Sequence, residues 1–190
     1  MLLINAALVP VESPRIDNGY IRILDQKIAA FGPMPAPNPD EGEEVLDLCG
    51  LTAYPGFVDG HCHIGMFADG LGFEGDDGNE ETDPVTPHLR AIDAVNPMDR
   101  CFQEALEQGI TTVVTGPGSA NPIAGQFCAM KTFGRRVDDM VIREPVAMKF
   151  ALGENPKTVY NDKNQTPNTR MATAALIREE LHKAQRYGED

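Results

Sequence analysis

The pattern of apolar residues changes at Pro55, and this change constrains the fold more than any other feature of the chain. Before Pro55, apolar and polar residues alternate in "LLINAALV" and in "IRILDQKIAAFG", which predicts β-strands with a reversal at Asp25-Gln26. After Pro55, strand-like runs alternate with segments of helical periodicity, the pattern of βα units on a parallel sheet. We therefore predict an α/β chain with two domains, residues 1–54 and residues 55–190.

Composition narrows the classes of partner. The net charge is −13, from 29 acidic and 16 basic residues, so the chain repels phosphate backbones and anionic lipids. No apolar run approaches the roughly 18 residues of a membrane span. Four cysteines without a CxxC pair favour a reducing cytoplasm. These features predict a small-molecule substrate, with no nucleic acid and no membrane, and leave a homo-oligomer open.

Two histidines stand one residue apart in "YPGFVDGHCHIG", near the end of a predicted strand. Alternate side chains of a strand share a face, so Asp59, His61 and His63 point the same way. Both imidazoles could then reach a single zinc ion at about 2.0 to 2.1 Å. An isolated pair of this kind more often consists of ordinary polar side chains than of metal ligands. The surrounding sequence has to distinguish the two cases.

Lys149 lies in the apolar string "EPVAMKFALG". A buried ammonium loses several kcal/mol of solvation unless it is paired, so this lysine needs an explanation. It is either an ordinary side chain that reaches water at the strand end or a functional group. Lys131, in "CAMKTFG", competes for the same role.

Two loops are also candidates for function. The segment "TGPGSANPIAGQ", residues 115–126, follows a strand predicted to be buried, and Ser119 and Asn121 in it are predicted to line a substrate pocket. A Gly-Pro turn without chemistry would have the same composition. The acidic segment 67–95 is too long for an ordinary connection and is expected to be functional or mobile, with a role that the sequence does not decide.

The string "DLCGLTAYPGFVDGHCHIG" resembles the opening of the metal-dependent amidohydrolase superfamily, whose first barrel strand carries the pattern PGφφDxHxH. Residues 55–59, His61 and His63 match this pattern position by position. The resemblance is strongest to the imidazolonepropionase-related branch. It implies a small β-sandwich domain, of which residues 1–54 are the N-terminal part, followed by a partial TIM-type (β/α) barrel with about the first four βα units in residues 55–190.

The resemblance also implies a site. His61 and His63 would be metal ligands, with Asp59 as a supporting residue behind them. Lys149, carboxylated by carbon dioxide, would bridge to a second metal ion, and Glu154 is an alternative ligand. The implied cofactor is zinc, as one or two divalent ions, with iron, manganese and nickel left open.

The implied reaction is hydrolysis of a non-peptide C–N bond, in a cyclic amide, by metal-activated water. Family enzymes complete the site with histidines from strands five and six and an aspartate from strand eight. A complete barrel takes about 250 residues, so the resemblance predicts a truncated chain that is inactive alone. The alternatives are a deaminase or metal dipeptidase of the same superfamily, or a non-catalytic fragment.

Overall fold

The computed structural model describes residues 1–68 and 71–189. They form two compact units, the first comprising Met1–Gly56 and the second beginning at Phe57. None of the helices in the described residues combines the length and the apolar character that a bilayer crossing requires.

The first unit is built on one five-stranded sheet. Its strands follow the order β3-β2-β1-β4, and β5 also pairs with β1. The neighbours β1/β2 and β2/β3 are antiparallel, whereas β4 and β5 run parallel to β1. The strand bounds are β1 Leu2–Leu8, β2 Ile16–Leu24, β3 Lys27–Pro33, β4 Val45–Asp47 and β5 Thr52–Ala53.

The turn between β2 and β3 confirms the predicted reversal. Leu24 pairs with Lys27, so only Asp25 and Gln26 form the loop. Their φ angles are 48° and 62°, the left-handed conformation at both central positions that a tight two-residue hairpin needs.

The sheet of the first unit has a buried strand and exposed apolar positions. Leu2, Ala6 and Leu8 of β1 are each at most 2% exposed, because β1 is the central strand. Ile28 and Phe31 of β3 are exposed to solvent. The described residues of this unit contribute a single sheet, so the second layer of the predicted sandwich stays a prediction.

The second unit contains a four-stranded sheet with helices between and after its strands. A short 3₁₀ turn at Gly72–Gly75 precedes them. The bounds are β6 Phe57–Cys62, α1 Ala91–Ala94, α2 Arg100–Glu107, β7 Ile110–Thr115, β8 Ile123–Lys131, α3 Val137–Met140, β9 Val141–Phe150, α4 Glu154–Asp162 and α5 Arg170–Glu189.

The strand directions correct the prediction of four parallel βα units. The sheet order is β6-β7-β8-β9; β6 and β7 are parallel, but β8 is antiparallel to both β7 and β9. The physical reason is connection length. A parallel pair needs a crossover of a dozen or more residues, as between β6 and β7, whereas residues 116–122 suffice only for a reversal. Strands β6, β7 and β9 therefore run in the same direction, and β8 runs against them.

An apolar cluster covers one face of this sheet. Its buried members include Phe102 of α2, Val113 of β7, Met130 of β8 and Met140 of α3, each at most 3% exposed. Burial of such side chains contributes roughly 1.5 to 3 kcal/mol each. Successive residues of a strand face opposite sides, so Phe127 of β8 points away from Cys128, which packs in this cluster.

The acidic segment 67–95 packs against the loop that follows β7, except for Asp69 and Gly70, which lie outside the described residues. The amide of Gly118 donates to the carbonyl of Gly78 at 2.8 Å, and the amide of Ala120 donates to Asn79 Oδ1 at 3.2 Å. A cavity of about 790 Å³ lies along this segment. Its described lining is mixed, with five acidic residues among apolar and other polar ones, and does not include His61 or His63.

Candidate metal centre

The carboxyl end of β6 brings the two predicted histidines together. His61 is the last residue but one of β6, and His63 follows immediately after the strand ends at Cys62. Their imidazole rings lie edge to face, with centroids 5.3 Å apart. His61 is exposed and His63 is half-buried, so both rings are accessible from the same edge of the sheet.

The neighbouring strand fixes the tautomer of His63. Nδ1 of His63 lies 2.7 Å from the carbonyl oxygen of Gly116, the first residue after β7. A carbonyl oxygen can only accept, so Nδ1 carries the proton and donates it. The lone pair of His63 is then on Nε2, and a backbone carbonyl on the opposite nitrogen is the support that metal-ligating histidines usually have.

Lys149 reaches the same place from β9. It is the last residue but one of that strand, opposite Gly125 of β8, and its Nζ lies 3.5 Å from Nε2 of His61. Because β9 runs in the same direction as β6, their carboxyl ends share an edge of the sheet. Burial lowers the pKa of the half-buried Lys149 amine, which favours its neutral form.

Asp59 supports the backbone rather than an imidazole. Its Oδ1 accepts a hydrogen bond from the backbone amide of His61 at 3.0 Å. This local contact restrains the backbone at the end of β6, where His61 lies. This contact of Asp59 is with the main chain, and its supporting role behind the metal ligands stays a prediction.

Phe127 is a member of this site that the sequence did not reveal. Its ring centroid lies 5.5 Å from that of His61 and 6.4 Å from that of His63, and Lys149 Nζ lies 6.0 Å from it. Phe127 is 5% exposed. An apolar residue in an apolar strand carries no signal of function, so only the fold could place it here.

The structure assigns Asn121 a different role from the predicted one. Its side chain is 1% exposed and donates from Nδ2 to the carbonyl of Glu80 at 2.6 Å and to Thr86 Oγ1 at 3.0 Å. Its Oδ1 accepts from the hydroxyl of Tyr160 at 2.6 Å. The amide nitrogen and oxygen of Asn121 are therefore both hydrogen-bonded inside the protein. They connect the loop after β7 to the acidic segment and to α4 instead of facing a substrate. Ser119, two residues earlier, is half-buried.

The competing ligands lie apart from this site. Glu154 is the first residue of α4; its side chain is 80% exposed and pairs with Arg170 at 3.5 Å. Lys131 is the last residue of β8 and pairs with Thr112 near the start of β7. Since β8 runs against its neighbours, Lys131 lies at the opposite edge of the sheet from Lys149.

The donor set that these strands assemble is two imidazoles and one amine. No group of three or more histidine, cysteine, aspartate or glutamate side chains with the spacing of a metal site occurs in residues 1–68 and 71–189. The set nevertheless suits a borderline metal ion such as Zn²⁺, because imidazole nitrogen is one of its preferred ligands.

Comparisons with known proteins identify relatives of the whole chain. The crystal structure of an amidohydrolase from Thermotoga maritima superimposes with a TM-score of 0.89 and 40% identity over 99% of this chain. The amidohydrolase TasK of Hapsidospora irregularis is 32% identical over 181 residues, 89% of this chain. The chain belongs to the amidohydrolase superfamily. No family model matches it.

Two further relatives show how broad this membership of the amidohydrolase superfamily is. An adenine deaminase of Listeria monocytogenes is 26% identical over 86% of the chain. An imidazolonepropionase of Caldanaerobacter subterraneus is 49% identical, but over only 49 residues. The chain spans 48% of the Thermotoga maritima amidohydrolase, 18% of TasK and 23% of the adenine deaminase.

Proposed function

We propose that this chain supplies part of a metal-dependent active site that hydrolyses a non-peptide C–N bond, in a cyclic amide of the kind that imidazolonepropionases open. The observation that carries the proposal is the geometry at the carboxyl ends of β6 and β9. There the proton of His63 is held on Nδ1 by Gly116, and Nε2 of His61 faces the amine of Lys149.

Members of the superfamily generally use divalent metal ions. His61 and His63 would hold the ion, and Lys149 would join them in a binuclear site. When bound, such an ion polarises a substrate carbonyl and lowers the pKa of water towards about 7. The chain's own contribution is to present the ligands: Gly116 fixes one tautomer, and Asp59 holds the strand end that carries His61.

The fold supports the first part of a barrel. Strands β6 and β7 are parallel and are connected through α1 and α2, which is one complete βα unit. In (β/α) barrels, catalytic residues lie at the carboxyl ends of strands, where His61, His63 and Lys149 are found. We propose that β6 and β7 begin such a barrel, and that ligands from outside these 190 residues complete the metal site.

A deaminase is the second candidate, because the adenine deaminase of Listeria monocytogenes aligns over 86% of the chain. A metal dipeptidase and a non-catalytic product are weaker candidates, since no specific contact favours either. We propose a cytoplasmic location, because the four cysteines include no CxxC pair and their spacing does not indicate a disulfide framework.

A substrate screen tests the reaction. The full-length protein of the proposal, which is this chain together with the segment that supplies the remaining ligands, is loaded with Zn²⁺. It is incubated with imidazolones, hydantoins, dihydropyrimidines, adenine and Xaa-Pro dipeptides. We expect ring opening of one cyclic amide class, with no turnover by a His63→Ala preparation, which controls for contaminating hydrolases. Release of ammonia from adenine would favour the deaminase, and cleavage of the dipeptides alone would contradict the proposal. Inactivity on every substrate would favour the non-catalytic product.

Carboxylation of Lys149 is a separate prediction. The neutral amine forms an N–C bond to carbon dioxide and releases one proton, leaving a carbamate. Lowering of the Lys149 pKa by burial favours this step. We expect a protein-bound ¹³C carbamate signal after incubation with ¹³C-bicarbonate and Zn²⁺, lost in Lys149→Met and retained in the matched Lys131→Met variant. The reverse result would assign the site to Lys131, and no signal in the metal-loaded protein would mean an unmodified amine.

A further inference from the structure

The ring of Phe127 contacts every donor of the candidate metal centre. It meets the imidazole of His61 edge to face, at an interplanar angle of 62°, and that of His63 at 54°. The amine of Lys149 lies 6.0 Å from the ring centroid. No donor group is contributed by Phe127 itself, so its influence on the centre must act through its neighbours.

The backbone is adapted to this ring. Phe127 pairs with Ala147 of β9, two residues before Lys149, and so shares a face with that lysine. On the other side, a Cβ added at Gly116 would overlap the ring of Phe127. The absence of a side chain at Gly116 therefore lets the ring lie beside the backbone whose carbonyl orients His63.

The two histidines depend on this packing to different degrees. His63 is held by its hydrogen bond to Gly116 as well as by the ring. Within the part of the chain that the structure describes, the one hydrogen-bond partner of the His61 ring is Lys149 Nζ at 3.5 Å, which is a long contact. Contacts with the ring of Phe127, at 5.5 Å, and with the ring of His63, at 5.3 Å, are then the main restraints on the rotation of His61.

We propose that Phe127 is a positioning residue for the metal centre: it fixes the orientation of the imidazoles of His61 and His63, and Gly116 leaves the space that its ring occupies. This inference rests on the proposed function, because it assumes that the two histidines bind a metal ion. Supporting residues around metal ligands typically contribute about 10-fold to 100-fold to affinity, and we expect an effect in this range.

Binding of Co²⁺ to the full-length protein tests the inference. The visible absorption of the bound ion reports both its affinity and its coordination geometry. Phe127→Leu should weaken Co²⁺ binding by about 10-fold to 100-fold and change the absorption bands. The matched control is Phe102→Leu, the same substitution at an equally buried site in the apolar cluster, which should lower stability and leave the bands and the affinity unchanged.

Substitution of Gly116 provides a second test in the same Co²⁺ binding experiment. Gly116→Ala should weaken Co²⁺ binding in the wild-type background but add little in the Phe127→Leu background, because both changes act on one ring. If Phe127→Leu does not fold, Phe127→Met, which better preserves volume, carries the same expectation. If the Phe127 variants keep wild-type affinity and absorption bands while His63→Ala loses binding, the positioning role of Phe127 is overturned and the proposed function is not. Failure of the wild-type protein to bind Co²⁺ would overturn it together with the proposed function.

Discussion

Replacement of His63 by alanine is expected to weaken binding of Zn²⁺ or Co²⁺ by at least about 100-fold. Loss of a supporting group costs about 10-fold to 100-fold, and loss of a ligand costs more. The substitution removes the Nε2 lone pair and leaves the Gly116 carbonyl without the donor that lies 2.7 Å from it. Equilibrium titration with Co²⁺ and metal analysis of the purified full-length protein measure the effect.

His182→Ala is the matched control for this experiment. His182 is an exposed residue of α5, outside the strand ends that carry the candidate ligands, and its loss should leave metal affinity unchanged. His61→Ala should reproduce the loss seen with His63→Ala. Retention of tight binding in both the His61 and His63 variants would mean that the metal, if bound, is held elsewhere, and the proposed function would fail.

Asn121→Ala is expected to lower the free energy of unfolding of the second unit by about 3 to 5 kcal/mol. The change creates a cavity and leaves the buried Tyr160 hydroxyl without its partner, at about 1 to 3 kcal/mol for an unsatisfied buried group, and it also removes the donor to the carbonyl of the exposed Glu80. Tyr160→Phe should cost less, because only Asn121 Oδ1 loses its partner. Urea denaturation followed by circular dichroism measures both effects.

Asn161→Ala is the control for the loss of an asparagine side chain. Asn161 lies next to Tyr160 on α4 but is exposed, so its replacement should change stability by less than about 0.5 kcal/mol. If Asn121→Ala left stability unchanged and instead raised KM for a substrate, the substrate-binding prediction for Asn121 would be restored. The buried network would then contribute less than its contacts indicate.

The part of the site that the sequence predicted well is local. The spacing of His61 and His63 determines that both can face one side of a strand, and the Pro-Gly before the strand identified the family that the comparisons support. The reversal at Asp25-Gln26 is also local, since a two-residue turn depends on the conformation of its own residues. Such features follow from neighbouring residues, whose relative positions the covalent chain already limits.

Tertiary structure decided the rest. The apolar pattern of β8 fits either direction in the sheet, and the short connection after β7 made it antiparallel. That reversal carries Lys131 to one edge and allows β9 to bring Lys149 within 3.5 Å of His61. The register of strand pairing likewise placed the ring of Phe127 beside the imidazoles of His61 and His63. Sequence determined which groups could bind a metal ion; long-range strand pairing, which no local pattern encodes, decided which of them meet.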